Sequence, residues 1–270
     1  SYNPDVLNKV LDQITDETSP TDDVHQLLIA GRIPVARNSA QRKAIARALV
    51  NIEPKMTARQ MNEDSNWTDH IREMYLQLVE LDTQLPAELI EQPEFGDPGH
   101  MVFMNGLSRE EIPRAVERLL EVVKADENYA WNNEVVFAIA NVMNDETRSY
   151  LRELYEQFPL QDAVTMTLAR EPLPEDRSKF LAGLESPQLE VVSSSMSALE
   201  QLPADATADE IVPLVRVLRR LQGGKQDYRL REQAVRLLRR AGEQDFAFVF
   251  GESGYTPQPD VIKKWTDWAV

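Results

Sequence analysis

The sequence predicts an all-α fold in which helix pairs stack along the chain into an α–α superhelix. Two observations predict it: a tandem run of punctuated helix patterns, and a second copy of that run earlier in the chain. Composition agrees, since 42% of the residues are apolar and only 10 of 270 are glycine. Alternating β-branched runs are nearly absent, so the apolar residues are arranged for helices rather than strands.

The tandem run lies over 187–242. Ser186-Pro187 opens the first pattern, with proline where a helix has no use for its missing N–H. Leu189, Val192, Met196 and Leu199 recur at helical spacing until Leu202-Pro203 stops them. Thr207-Ala-Asp-Glu210 reads as a capping box for a second helix carrying Ile211, Leu214, Val215, Leu218 and Leu221 on one face. Gly223-Gly224 is expected to end it in a left-handed turn. Asp227 caps a third helix, in which Leu230, Ala234, Leu237, Leu238 and Ala241 align before Gly242. Burying one such stripe yields roughly 6–12 kcal/mol before chain entropy is subtracted, so these helices must stack to be stable.

A shift of 99 residues lays Ser108-Arg-Glu-Glu111-Ile112 on Thr207-Ala-Asp-Glu210-Ile211. Without a gap, Val116 meets Val215, Leu119 meets Leu218, Tyr129 meets Tyr228 and Val136 meets Val235. A weaker copy starts at Thr21-Asp-Asp-Val24 and continues into Ala44-Ile45-Ala46. Pro113 and Pro213, just past the first turn of their helices, are expected to bend them. Helix pairs repeating in this way read as a solenoid of the HEAT or armadillo kind, with the whole chain, 1–270, as one array.

Outside the repeats, helical patterns cover Asp5 to Ile14, Thr21 to Ala30, Ser39 to Asn51 and Trp67 to Leu81, while Pro54 to Ser65 is polar loop. Leu85-Pro86 breaks the fourth pattern, and a short helix follows from Ala87 to Gln92. Pro93-Glu-Phe-Gly-Asp-Pro-Gly99 is a domain boundary or, since related units flank it, the start of a long inter-repeat loop over 93–107. Further helices fit Ser108 to Val123, Trp131 to Met143, Glu146 to Phe158, Gln161 to Ala169 and Glu175 to Leu184. Phe246-Ala-Phe-Val-Phe250 is extended and apolar, Gly251 to Pro259 is loop, and Asp260 caps a last helix bearing Ile262, Trp265, Trp268 and Ala269.

A net charge of −16 argues against nucleic acid as a partner, because a phosphate backbone is repelled. Cysteine is absent, which removes disulfides, thiolate metal sites and cysteine nucleophiles. No run approaches eighteen apolar residues, so no membrane span is expected. The start Ser1-Tyr-Asn-Pro carries neither signal peptide nor initiator methionine, so the chain is expected to be a piece of something longer.

The sequence offers no catalytic constellation. His25, His70 and His100 are far apart and are followed by Gln26, Ile71 and Met101, which excludes the repeated His-Glu pairs of a di-iron site. His70 and Glu73 lie one turn apart, but two ligands do not make a metal centre. Gly223-Gly224-Lys225 lacks the spacing and the preceding strand of a phosphate loop, and Ser193-Ser194-Ser195 has no histidine near it in sequence. Neither a metal site nor a cofactor site is assigned, and the chain alone is expected to bind no haem or nucleotide.

One charge feature rises above this background. Arg216, Arg219, Arg220, Lys225, Arg229, Arg231, Arg236, Arg239 and Arg240 crowd one helix pair and are opposed only by Asp227 and Glu232. Arg219, Arg220, Arg239 and Arg240 fall in last turns, where cations answer the helix dipole and pack against acidic repeats. The alternative is that Arg216, Arg219, Arg220, Arg236, Arg239 and Arg240, with Trp265 and Trp268 one turn apart, form a docking surface for an acidic partner or neighbouring domain. The other reading of the tryptophans, and the commoner one for such a pair, is an end cap on the core.

From Leu160 onward the wording becomes familiar. Leu160-Gln-Asp-Ala163, Pro174-Glu-Asp-Arg177, Lys179-Phe180 before Gly183-Leu184 and Ser186-Pro-Gln188 belong to it. So do Leu199-Glu-Gln-Leu-Pro203, Leu237-Leu-Arg-Arg240 followed by Gln244-Asp-Phe246, and Trp265-Thr-Asp-Trp268. Together they resemble the HEAT-repeat region of large c-type cytochrome proteins of planctomycetes and verrucomicrobia, described as haem-binding or membrane-bound dehydrogenase-like. The resemblance implies a non-catalytic helical scaffold beside a haem domain, with a β-propeller often upstream, in an exported, extracytoplasmic electron-transfer protein. This chain has no Cys-x-x-Cys-His, so the resemblance places no haem ligand on any residue here. The other reading is a free-standing solenoid adaptor that binds a peptide or protein on its concave face.

Overall fold

A computed structural model of the chain describes residues 76–91, 95–96, 104, 107–204, 208–221 and 223–269. The helical patterns expected before residue 76, all three histidines, Glu73 and the cap Thr207 lie outside the described residues. Among the described residues every regular element is a helix and none is a strand. The chain divides into two compact units, Ser1–Met143 and Asn144–Val270.

In the first unit, a helical segment over 76–81 precedes α1 (Leu85–Ile90), α2 (Ile112–Ala125) and α3 (Asn133–Ile139). Leu85-Pro86 does not end a helix here. Pro86 sits in the first turn of α1, whose Leu85, Leu89 and Ile90 are buried, because a missing N–H is harmless there. Pro113 likewise falls in the first turn of α2 and interrupts nothing, contrary to the bend expected of it. The helix begins at Ile112, but half of the expected capping box is present. The Glu111 carboxylate accepts the Ser108 N–H at 2.7 Å, and the Ser108 carbonyl accepts from Glu111 and Ile112 N–H. Asn132 caps α3 by accepting the Val135 N–H at 2.9 Å. Buried Tyr129 donates to the Gly96 carbonyl at 2.5 Å, and Gly96 takes φ +103 with Val122 close to its Cα.

The second unit runs α4 (Asp145–Leu154), α5 (Gln161–Leu168), α6 (Arg177–Gly183), α7 (Leu189–Gln201), α8 (Ala208–Arg220), α9 (Gly224–Gly242) and α10 (Pro259–Ala269). Short 3-10 turns precede α5 and α6 at Phe158–Leu160 and Pro174–Asp176. Consecutive helices pack from α4 through α7, and α8 packs on α9. From α5 onward helices also pack on the next but one, α5 on α7, α6 on α8, α7 on α9 and α8 on α10. Val192, Met196 and Leu199 are fully buried on α7. Leu189, expected on the same face, is 45% exposed at the first turn. On α8 and α9, Ile211, Leu214, Val215, Leu218, Leu221, Ala234, Leu237, Leu238 and Ala241 are all buried as their periodicity requires.

The positions matched at 99 residues agree in burial. Val116 and Val215, Leu119 and Leu218, Tyr129 and Tyr228, and Val136 and Val235 are buried in every case.

The glycines act differently from their expected roles. Gly223 is extended (φ −71, ψ 134), and Gly224 starts α9 instead of ending α8. Asp227 lies inside the first turn and reaches back, accepting the Gly223 N–H at 2.6 Å. Gly242 is still helical, and the left-handed cap falls on Glu243 (φ 51). At Gly242 the need is space, since the Trp268 ring occupies the place a Cβ would take. Asp260 is in the first turn of α10, which Pro259 opens. Pro213 does lie within its helix, α8.

Candidate docking surface

The residues over 208–269 decide what the basic helix pair offers. Arg220, in the last turn of α8, donates to the carbonyls of Leu184 at 2.9 Å and Glu185 at 3.1 Å, just beyond the C-terminus of α6. Arg240, in the last turn of α9, donates to Leu199 O at 2.5 Å and Glu200 O at 2.7 Å, in the last turn of α7. Both guanidinium groups thus cap a helix two elements back, satisfying carbonyls that have no partner within their own helix. Both are committed to carbonyls of this chain.

The other four arginines differ. Arg216 pairs with Glu185 at 3.3 Å, with its side chain 61% exposed. Arg236 pairs with Glu200 at 3.3 Å and Glu232 at 3.2 Å, its side chain half exposed. Arg239 holds Asp245 at 2.6 Å and lies over the Phe250 ring at 4.8 Å from its centroid. Arg219 is exposed on the last turn of α8. Glu185 and Glu200 each meet two arginines, the carboxylates taking Arg216 and Arg236 and the backbone carbonyls taking Arg220 and Arg240.

Trp265 is fully buried, with the Phe246 ring 4.7 Å away edge-on. It belongs to the core and offers no surface, which corrects its place among the docking residues. The reason is the close seat that Gly242 gives α10. Trp268 packs into that seat, 5.6 Å from the Trp265 ring, and is partly covered.

Sequence reasoning passed over the charged residues that are most deeply placed. Asp176, fully buried at the start of α6, accepts from Arg152 Nε at 2.7 Å and Nη2 at 3.0 Å, and from Arg148 Nη1 at 3.3 Å. That bond holds the Arg152 guanidinium above its ordinary pKa. Arg148 also donates to Glu171 O at 2.9 Å. Glu210, fully buried at the start of α8, accepts from Arg177, which also donates to the Pro203 carbonyl. Arg231 has no exposed surface and donates to four carbonyls: Leu221 at 3.3 Å, Gly223 at 2.7 Å, Gly254 at 3.2 Å and Tyr255 at 3.0 Å. Burial lowers its pKa from the ordinary arginine value, against the pull of Asp227. The available signal was position: an acid at each helix start reads as a cap, and only the approach of a helix from elsewhere makes it an ion-pair centre.

Among the described residues no three His, Cys, Asp or Glu side chains gather in a geometry that holds a metal ion. No helix among them is long and apolar enough to cross a membrane. On this face Arg216 and Arg236 hold the carboxylates of Glu185 and Glu200. No protein-family model, curated protein or solved structure matches this chain.

Proposed function

We propose that this chain is a non-catalytic helical-repeat scaffold of the HEAT or armadillo kind, an interaction or spacing module for a larger protein. The observation that carries this reading is the order of packing in the second unit, where helices meet the next and the next but one. An array in which each unit buries its face on its neighbours packs in that order. The side-chain ties follow the same rule, since Arg220 and Arg240 each cap a helix two elements back. Arg216 and Arg236 supply the exposed charge for an acidic partner or neighbouring domain, and set orientation and encounter rate. The wording from Leu160 to Trp268 supports an extracytoplasmic c-type cytochrome-like protein as the larger whole, with a haem domain as neighbour.

Two measurements test this. The reading frame that encodes the chain should contain a Cys-x-x-Cys-His outside residues 1–270; a frame without one overturns the cytochrome placement. The domain adjoining this chain, produced separately, should bind it saturably, more weakly at high salt, and more weakly again after Arg216→Ala with Arg236→Ala. Absence of binding by the adjoining domains overturns the interaction reading.

A further inference from the structure

Residues 243–258 join α9 to α10 without a regular element except the 3-10 turn Glu252–Gly254. Three of them, Glu243, Ala247 and Gly251, take φ of 51, 59 and 74, conformations that L side chains rarely adopt. Side chains rather than a ladder meet the backbone of this strap. The Gln258 amide closes on Val249, accepting its N–H at 2.7 Å and donating to its carbonyl at 2.9 Å. Side chains of α9 hold the strap to the helix: Tyr228 and Arg231, one turn apart, and Arg239, which pairs with Asp245 and lies over the Phe250 ring. Tyr228 Oη accepts the Gly251 N–H at 2.5 Å, and Arg231 donates to Gly254 O and Tyr255 O. Phe246 and Phe248 face inward, Phe246 against Trp265, while Val249 and Phe250 stay 46% and 37% exposed.

A segment with little regular hydrogen bonding, left-handed residues along it and a few side-chain anchors has the features of a unit that opens separately from the helices beneath it. We propose that 243–258 is a latched strap: it opens as one cooperative unit when its contacts with Tyr228, Arg231 and Arg239 break, uncovering Trp265. Arg231 is the principal latch, since the same guanidinium also holds the α8–α9 turn through Leu221 O and Gly223 O. Releasing the strap therefore leaves Arg231 with partners, which lets the opening stop short of unfolding.

Hydrogen exchange on the full chain, read by peptide, tests this. In the native protein the amides over 246–256 should exchange together and about tenfold or more faster than those of α7 to α9. Tyr228→Phe, which removes only the hydroxyl, should speed strap exchange by about a further tenfold while α7 to α9 keep their protection. Arg231→Met should do the same to a greater extent. Strap amides that exchange at the rate of α9, in the native protein or after Tyr228→Phe, overturn the proposal. Should Arg231→Met strip protection from the whole unit, Tyr228→Phe decides: acceleration confined to the strap supports the latch, and uniform acceleration overturns it.

Discussion

The guanidinium of Arg240 donates to the carbonyl of Leu199 at 2.5 Å across 41 residues of chain, tying the end of α9 to the end of α7. Arg216, on the neighbouring helix, reaches an exposed carboxylate instead. The two should differ in stability cost. Arg240→Ala unpairs the Leu199 and Glu200 carbonyls and should cost about 1–3 kcal/mol in urea denaturation. Arg216→Ala should cost below about 1 kcal/mol, because an exposed pair is screened by water and salt. Equal losses at the two sites would refute the division into tying and exposed arginines.

Asp176 carries a heavier burden. Asp176→Asn keeps the shape but leaves Arg148 and Arg152 without their buried anion, at an expected cost of about 3–5 kcal/mol. The double change Asp176→Leu with Arg148→Met removes charge from both sides and should cost less than Asp176→Asn alone. Thermal melts of the three variants compare these directly.

Leu218 and Leu237 face the seam between α8 and α9 with at most 1% exposure. Either changed to Ala should lose about 2–5 kcal/mol, the cost of lost transfer energy plus a cavity. A loss below about 0.5 kcal/mol at both would mean that the seam is elsewhere.

Gly242→Ala should destabilise by about 1–3 kcal/mol despite alanine's higher helix propensity, because its Cβ meets the Trp268 ring. In a Trp268→Ala background the same change should become neutral or favourable. A double-mutant cycle with no coupling would show that the ring moves aside freely.

Burial pushes the Tyr155 hydroxyl above its ordinary value near 10, with Asp162 and Glu156 adding to the shift, and burial followed by Glu153 does the same at Tyr150. The folded state therefore prefers both phenols neutral. Their contribution is fully present below pH 10 and is lost as pH rises through the higher folded-state pKa. The urea midpoint should fall as pH rises above the ordinary phenol value, and Tyr155→Phe should flatten that fall.

Helical identity, the faces of α8 and α9 and the burial of the four residue pairs 99 apart were legible in the sequence, because periodicity and capping are local properties of the chain. Local signals misjudged the turns. Gly223, Gly242 and Pro86 read as breaks and Pro113 as a bend, yet both prolines open helices, Gly223 precedes one and Gly242 gives room to a tryptophan, since what a glycine or proline does depends on what approaches it. The arginine cluster was visible as composition, but its division was not. Arg220 and Arg240 reach helix-end carbonyls, and Arg216 and Arg236 reach carboxylates, only because α8 and α9 lie against the ends of α6 and α7. Asp176 and Glu210 likewise read as helix-start acids until an arginine more than twenty residues away enters their pocket. The chain by itself determined which residues form helices and which stripe each helix must bury. Tertiary structure alone decided which charges are ties and which remain available, because a guanidinium's partner is set by proximity in space, and spacing along the chain does not encode it.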